Sequence, residues 1–309
     1  MRQQESLVRL IRDLWPGARP LSLRRLRCGL GAHMHRLRFE TASGERRTVV
    51  LRRYVNEWRE STPEHARYEF EVLKLLAKAG IPAPQPLLLD AEGTYFGCPA
   101  MVLSYVPGRS FFYHPDEASW VDGLAVALAD VHRLTPQRLD LTALRPFEPY
   151  AERLNFERIE PAGPLAIQAY KVLMAHEDAA VPDVSCLIHV DYWPGNTVWF
   201  RGRLAAIIDW GSACLGDRRA DVSQCRSDLV VSHGLETADA FLRSYEAAAT
   251  QPVRDLWYVD AFMGLRALLN YPKWLEGYHD AGMRHLQLAD VGARIEAFLR
   301  RALDEARNG

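Results

Sequence analysis

Residues 186–210 read CLIHVDYWPGNTVWFRGRLAAIIDW, and the order of residue types in this stretch decides the fold. The apolar run 186–190 has strand character and delivers His189-x-Asp191 into a loop that holds Pro194 and Gly195. Asn196 opens a second β-like run over 197–200, Gly202 marks a turn, and a third run over 204–210 ends on Asp209-Trp210. Two carboxylates and an amide, each at the end of an apolar run, are expected to converge at one edge of a small sheet. Strand ends beside loops are where a rigid scaffold can aim polar groups at a ligand.

This set suits phosphoryl transfer. The reaction needs one acceptor to orient and deprotonate a hydroxyl, and oxygen ligands to hold Mg²⁺ between phosphates. Asp191 fits the first role, Asn196 and Asp209 the second. The chemical rival is a metallohydrolase with His189, Asp191 and Asp209 as zinc or manganese ligands. Such sites need at least three ligands and an open position, and Asn196 is an odd companion for them.

The flanks read as two different patterns. Leu7, Leu10, Ile11 and Leu14 predict a helix over 6–14, stopped by Pro16-Gly17. Runs at 21–27, 35–41 and 48–55 are separated by Gly29-x-Gly31 and Ser43-Gly44, an antiparallel meander. A helix over 63–78 follows, with Pro63 in its first turn and Gly80 just past its end. Strands at 87–89 and 100–106 complete a small α+β unit. Beyond 119 the period is helical, with helices predicted over 120–133, 165–176, 220–232, 238–248, 253–270 and 291–306. The division is therefore a domain over 1–106 and a mainly helical one over 107–309, with a short hinge at 106–108.

Composition narrows the function classes. The 309 residues carry 38 basic and 39 acidic side chains and a net charge of −1, which argues against a dedicated nucleic-acid partner. No run of 18 apolar residues exists, so no membrane span is expected. Five cysteines, odd in number and never spaced as CxxC, give neither a disulfide framework nor a zinc site. Reduced thiols and an N-terminus unlike a signal peptide lead to a cytoplasmic expectation. The charge is uneven: residues 1–60 hold 14 arginines against 6 acidic side chains, and the remainder 24 basic against 33 acidic. Arginine-rich coding bias explains this, as does a basic lobe for an anionic ligand joined to an acidic lobe for a cationic one.

His189-x-Asp191-x₄-Asn196, followed after a hairpin by Ile208-Asp209-Trp210, resembles the core of the aminoglycoside phosphotransferase family over roughly residues 20–275. The family pattern usually has Gly where this chain has Val190. The resemblance implies an α+β, bilobal, protein-kinase-like fold, with a small five-stranded antiparallel N-lobe and a larger, mainly helical C-lobe. It implies ATP and Mg²⁺ as cofactors and transfer of the γ-phosphate to a hydroxyl of a small, cationic acceptor. An aminoglycoside-like or macrolide-like antibiotic is the default, and a choline, homoserine or sugar-amine type metabolite the alternative.

By the same resemblance Asp191 is the catalytic base, Asn196 and Asp209 bind the metal, and His189 and Asp221 support the site. Gly29 and Gly31 lie where the family's nucleotide loop lies, although a lone G-x-G equally reads as a hairpin turn. Arg52 stands where kinases place a phosphate-binding lysine; Glu69 is its expected partner, with Glu71 the alternative. Ser104, Tyr105 and Val106 match the strand whose backbone meets the adenine edge. Asp228, Trp274, Glu276, Tyr278 and Asp280 are the acceptor-side candidates, the last four read as a rim after Asn270-Tyr271-Pro272. A nucleotide-binding pseudoenzyme is the rival from another class, resting on Arg52 and the sparse glycine loop.

Overall fold

The computed structural model describes residues 2–26, 33–55, 62–110 and 116–308. They divide into two compact units, Met1–Pro107 with Ala205–Gly211, and Gly108–Leu204 with Ser212–Gly309. The segment Ala205–Gly211, which carries Asp209, therefore segregates with the first unit, whereas the sequence reading put everything after 106 in the second.

The first unit opens with helix α1 (Arg2–Leu14) and strands β1 (Arg19–Arg25), β2 (His33–Glu40) and β3 (Arg46–Arg53). Helix α2 (Pro63–Ala79) and strands β4 (Pro86–Asp90) and β5 (Ala100–Ser104) follow. The five strands form one antiparallel sheet in the order β1-β2-β3-β5-β4. Leu7, Leu10 and Ile11 of α1 bury against Leu37, Phe39, Val49 and Leu51, so the apolar stripe of the helix covers one face of the sheet. Helix α2 starts where the Thr62 side chain accepts the His65 N–H, with Pro63 in the first turn. It ends at Gly80, whose φ of 75° is the left-handed conformation glycine adopts without steric cost.

The second unit contains α3 (Glu117–His132), the short α4 (Phe156–Ile159), α5 (Pro164–Ala175), β6 (Ser185–Ile188) and β7 (Thr197–Phe200). Strand β8 (Arg203–Ile207) leads into the segment shared with the first unit, and β9 (Cys214–Asp217) leads back. Helices α6 (Arg219–Ser232), α7 (Leu235–Ala249), α8 (Leu256–Asp280) and α9 (Leu288–Asn308) complete it. β6 pairs antiparallel with β9, and β7 pairs with β8. The expected single small sheet is thus two, because β9, too short to show a period, takes β6 as its partner. Gly216 fits this pairing: a Cβ there would stand 2.6 Å from Phe147 and 2.7 Å from Ile188.

Helix α8 departs most from expectation. Pro272 reads as a stop, since proline lacks an N–H and clashes with the preceding turn at a cost of about 3 kcal/mol. Here the helix runs through it to Asp280. Leu275 and Tyr278 beyond the proline bury with Val231, Ala267, Met283 and Leu286, and burial at about 1.5–3 kcal/mol per large side chain outweighs the penalty. Among the described residues no helix is long and apolar enough to cross a membrane.

A buried polar network ties the helices of this unit. The Arg226 guanidinium, 4% exposed, pairs with Asp260 at 3.0 Å and donates to the Ala238 carbonyl at 3.1 Å. Ser223 donates to the same Asp260 at 2.6 Å. Removing one partner of a buried pair strands the other's charge, at about 3–5 kcal/mol. Arg226→Met should lower unfolding free energy by that order in a denaturant titration, and adding Asp260→Leu should recover part of the loss. A double variant weaker than the single one by the full cost of a second buried group would show that the pair is not what the helices depend on.

Candidate active site

The loop after β6 is held from below by one carboxylate. Asp221, fully buried in the first turn of α6, accepts the N–H of His189 at 2.6 Å and that of Val190 at 2.7 Å. His132 approaches the same carboxylate through Nε2 at 3.2 Å, and its Nδ1 lies 2.7 Å from the Tyr245 hydroxyl. A carboxylate only accepts, so Nε2 is the ring nitrogen that donates to Asp221.

The clamp forces an unusual backbone. Val190 has a φ of 73°, the left-handed region that costs a β-branched residue about 1–2 kcal/mol. This is the position where the related pattern has glycine. With the turn made, the Asp191 N–H donates to His189 Nδ1 at 3.3 Å. The Asn196 amide nitrogen donates to the Asp191 carbonyl at 2.9 Å and to its carboxylate Oδ2 at 3.0 Å. Both bonds use nitrogen, so the Asn196 oxygen is the atom suited to a cation. Gly195 is required by packing, since a Cβ would lie 2.5 Å from the Trp193 ring.

Two turns along α6 from Asp221 lies Asp228, also buried. Tyr278 and Gln224 both donate to its carboxylate, and Arg266 donates to Gln224. Burial is the main cause that pushes the Asp228 carboxyl up to about 6; the Tyr278 bond opposes it and the charge of Asp191 adds to it. Trp193, in the Asp191 loop, meets Tyr278 edge to face at 6.0 Å.

In the first unit Arg52 joins two carboxylates. Its guanidinium lies 3.3 Å from Glu69 on α2 and donates to Asp209 at 2.9 Å. Tyr54 donates to the other Glu69 oxygen at 2.8 Å, and its ring lies beneath Arg52 at 5.2 Å. Burial opposes the guanidinium charge, but Glu69 and Asp209 together hold its pKa above the ordinary value. The Tyr54 hydroxyl is likewise pushed up, by burial and then by the Glu69 charge. Asp209 has a φ of 69° and a side chain 43% exposed.

The remaining candidates separate. Glu71 pairs with Lys74 on the exposed side of α2, so Glu69 is the partner of Arg52. Arg53, beside Arg52, is half-buried over the Phe96 ring at 5.4 Å. The Ser104 N–H is committed to the Gln85 carbonyl and its hydroxyl to the Gln85 N–H. Tyr105 and Val106 follow the strand. Gly29 and Gly31 lie outside the described residues. Trp274, Glu276, Tyr278 and Asp280 are not a loop rim: they sit on α8, with Tyr278 buried and Glu276 and Asp280 exposed. Gln224 and Arg266 were missed. The i, i+3, i+7 spacing of Asp221, Gln224 and Asp228 on one helix face was the legible signal for the first. A helix ended at 270 hid the link from Arg266 to Tyr278.

A family model described as phosphotransferase enzyme family matches residues 28–257. The chain is 30% identical over 165 residues to homoserine kinase of Azorhizobium caulinodans, covering 50% of each protein. Among solved structures, macrolide 2'-phosphotransferase MphH of Brachybacterium faecium superposes with a TM-score of 0.63 at 18% identity, covering 97% of this chain and 98% of the other. A thermostable mutant of aminoglycoside phosphotransferase APH(4)-Ia, in ternary complex with ADP and hygromycin B, gives 0.62 at 17% identity, with 96% and 98% covered. These likenesses establish the protein-kinase-like fold. The chain spans between about a fifth and a half of the length of the curated relatives it matches.

Two consequences can be measured. Val190→Gly should be more stable than Val190→Ala by about 1 kcal/mol in chemical denaturation, because only glycine adopts the left-handed backbone freely; the reverse order would show the turn to be unstrained. Asp228 binds a proton more tightly folded than unfolded, so its contribution to stability is complete below about pH 4 and is lost as pH rises through about 6. Asp228→Asn should therefore flatten the fall in unfolding free energy across that window, by an amount on the order of 2–3 kcal/mol. Parallel pH–stability curves for wild type and variant would contradict it.

Proposed function

The chain belongs to the phosphotransferase enzyme family, with an alcohol group as acceptor, and from that premise we propose that it moves the γ-phosphoryl group of ATP, with Mg²⁺, to a hydroxyl of a small molecule. The observation that carries this reading is the Asp191 loop. Its backbone is pinned by Asp221, and its carboxylate is oriented by Asn196. A base held this way spends little energy on reorganisation when a hydroxyl arrives.

In the proposed reaction the hydroxyl oxygen forms its bond to the γ-phosphorus while its proton passes to the Asp191 carboxylate. The bridging P–O bond breaks, and its electron pair leaves with ADP. Asn196 and Asp209 are the residues that would hold Mg²⁺, which when bound would offset charge on the phosphate oxygens. One amide oxygen and one carboxylate fit an ion that keeps most of its waters. The zinc alternative finds no group of three His, Cys, Asp or Glu among the described residues.

Arg52 is proposed to meet phosphate oxygens: its Nε is buried and finds no acceptor among the described residues. Glu69 and Asp209 fix its orientation. Gly29 and Gly31 are proposed for the phosphate loop, and the backbone of Tyr105 and Val106, beside Ser104, for the adenine edge. His189 and Asp221 are supports. An aminoglycoside-like or macrolide-like acceptor rests on the two solved relatives, with Asp228, Trp274, Glu276, Tyr278 and Asp280 as its proposed contacts. A second reading, a kinase of a small metabolite, is favoured by the arrangement of those residues: Asp228 is engaged by Tyr278 and Gln224, and the two exposed acids lie along α8.

Asp191→Ala should reduce ADP release with any true acceptor by about 10²–10⁴-fold, while calorimetric binding of ATP with Mg²⁺ stays close to wild type. Unchanged turnover would remove Asp191 from the chemistry. Nucleotide binding that ignores Mg²⁺, with no acceptor phosphorylated, would favour the pseudoenzyme.

A further inference from the structure

Arg52 and Arg53 are neighbours in β3, and strand alternation sends them to opposite faces of the sheet. Val49 and Leu51 bury with α1, so Arg53, next in the same alternation, shares the α1 face. Its guanidinium lies 5.4 Å from the ring of Phe96, which packs against that same apolar cluster. Arg52, on the other face, is met by Glu69 and Asp209. Arg53 is met by no carboxylate. Among the described residues its side chain forms no ion pair, and its buried Nε finds no acceptor.

The strand register brings three more nitrogen-bearing side chains to this corner. His33 stands opposite Arg53, and His35 stands opposite Leu51 on one side and Arg25 on the other. Residues opposite each other across a ladder share a face, with Cβ atoms about 4.5–5.5 Å apart. His33 and His35, two apart on β2, share it as well. The group is graded in depth: Arg25 is exposed, His33 and Arg53 are half-buried, and His35 is only 9% exposed. His35 therefore sits at the rim of the apolar cluster, and its buried Nδ1 has no partner among the described residues.

The free protein holds these groups unfavourably. Burial lowers the pKa of both histidines, and the charges of Arg25 and Arg53 lower them further. A backbone contact with His33 opposes this for His35. The charged groups acting on the two rings are these arginines and, for His35, the His33 ring. Like charges on adjacent strands repel, and a buried donor without an acceptor is costly. An anion placed between the four side chains would relieve both.

We propose that this corner of the sheet, on the α1 side of β1, β2 and β3, binds a phosphate group. Arg25 and Arg53 hold it from the flanking strands, and His33 and His35 donate to it from the strand between them. A phosphate suits four donors better than a carboxylate does, because it presents more acceptor oxygens and a larger charge. The site lies on the face opposite Arg52, so it is separate from the nucleotide contacts proposed above and does not rest on the phosphotransferase reading. An anion beside a histidine favours the charged ring. Binding therefore takes up protons, and by linkage affinity rises as pH falls.

The test uses the full chain and sulfate, a dianion that does not titrate near neutrality, so any pH dependence belongs to the protein. Calorimetry should show saturable binding, tighter at about pH 5.5 than at about pH 7.5 by about tenfold. Arg53→Gln and His35→Gln should each weaken it at the lower pH by about tenfold or more, the worth of a charge-assisted hydrogen bond. Arg53→Lys should fall between, and Arg52→Gln should leave binding unchanged. Should Arg53→Gln not fold, Arg25→Gln, at an exposed position, carries the same comparison. Should Arg52→Gln not fold, the histidine C–H signals in NMR locate the ion: those of His33 and His35 should shift with sulfate and titrate at higher pH. Competition against bound sulfate then separates the sources. Stronger displacement by inorganic phosphate supports the site as one for free phosphate, and stronger displacement by glycerol 3-phosphate as one for a phosphomonoester.

The proposal is overturned if sulfate binding does not saturate, or if its affinity ignores Arg53→Gln and His35→Gln. An affinity equal at the two pH values overturns it too, as does binding that is lost in Arg52→Gln alone.

Discussion

One buried carboxylate, that of Asp221, sets the geometry of the second unit's chemistry. It takes two consecutive main-chain N–H groups, those of His189 and Val190, and faces the His132 ring as well. Two adjacent N–H groups point at one acceptor only when the chain turns sharply, and the turn puts Val190 in the left-handed region. Strain of this kind persists where surrounding contacts over-determine it. Here the contacts are the clamp on one side and, on the other, the Val190 side chain against the cluster that includes Ile188 and Cys214. Asp191 is aimed by its neighbours more than by its own bonds.

The first unit solves a comparable problem with a cation. Arg52 lies in the central strand of the sheet, where a fixed positive charge would be costly alone. Glu69 arrives from α2 and Asp209 from the segment that returns after β8, so both partners come from elements distant in sequence. A lysine could hold either carboxylate as a point charge. The planar guanidinium holds both, keeps the face of Tyr54, and retains an Nε donor. Arg52 therefore does geometrical work that a point charge could not.

Much of this was legible in the sequence, for identifiable reasons. The elements of the sheet announced themselves because period-two runs were broken by glycine pairs, and α2 because proline and glycine bracket it. Asp191, Asn196 and Asp209 stood out through spacing, and Glu69 through the resemblance, which left Glu71 as the alternative. What escaped was decided by tertiary burial. β9 has four residues and no readable alternation, and it exists because β6 needs a partner. α8 crosses Pro272 because Leu275 and Tyr278 have a core to enter. With the helix read as ending at 270, Arg266, Trp274 and Tyr278 could not be seen as one helix, and the acidic residues beyond looked like a loop for an amine.

Net charge and local surroundings act over different distances. Residues beyond 60 are acidic in sum, which invites a cationic ligand. A sum over two hundred residues is a statement about long-range potential, and salt screens that within about 8–10 Å. A bound ligand responds to the few groups within a few ångströms, and to whether those groups already have partners. Most acids of the second unit face water or are engaged: Asp217, Asp221, Asp228 and Asp260 by arginine, backbone, tyrosine and serine. Arg153 and Arg266 face aromatic rings. Net charge therefore describes the field around the unit, while a ligand is selected by the groups it can touch and by the partners those groups already have.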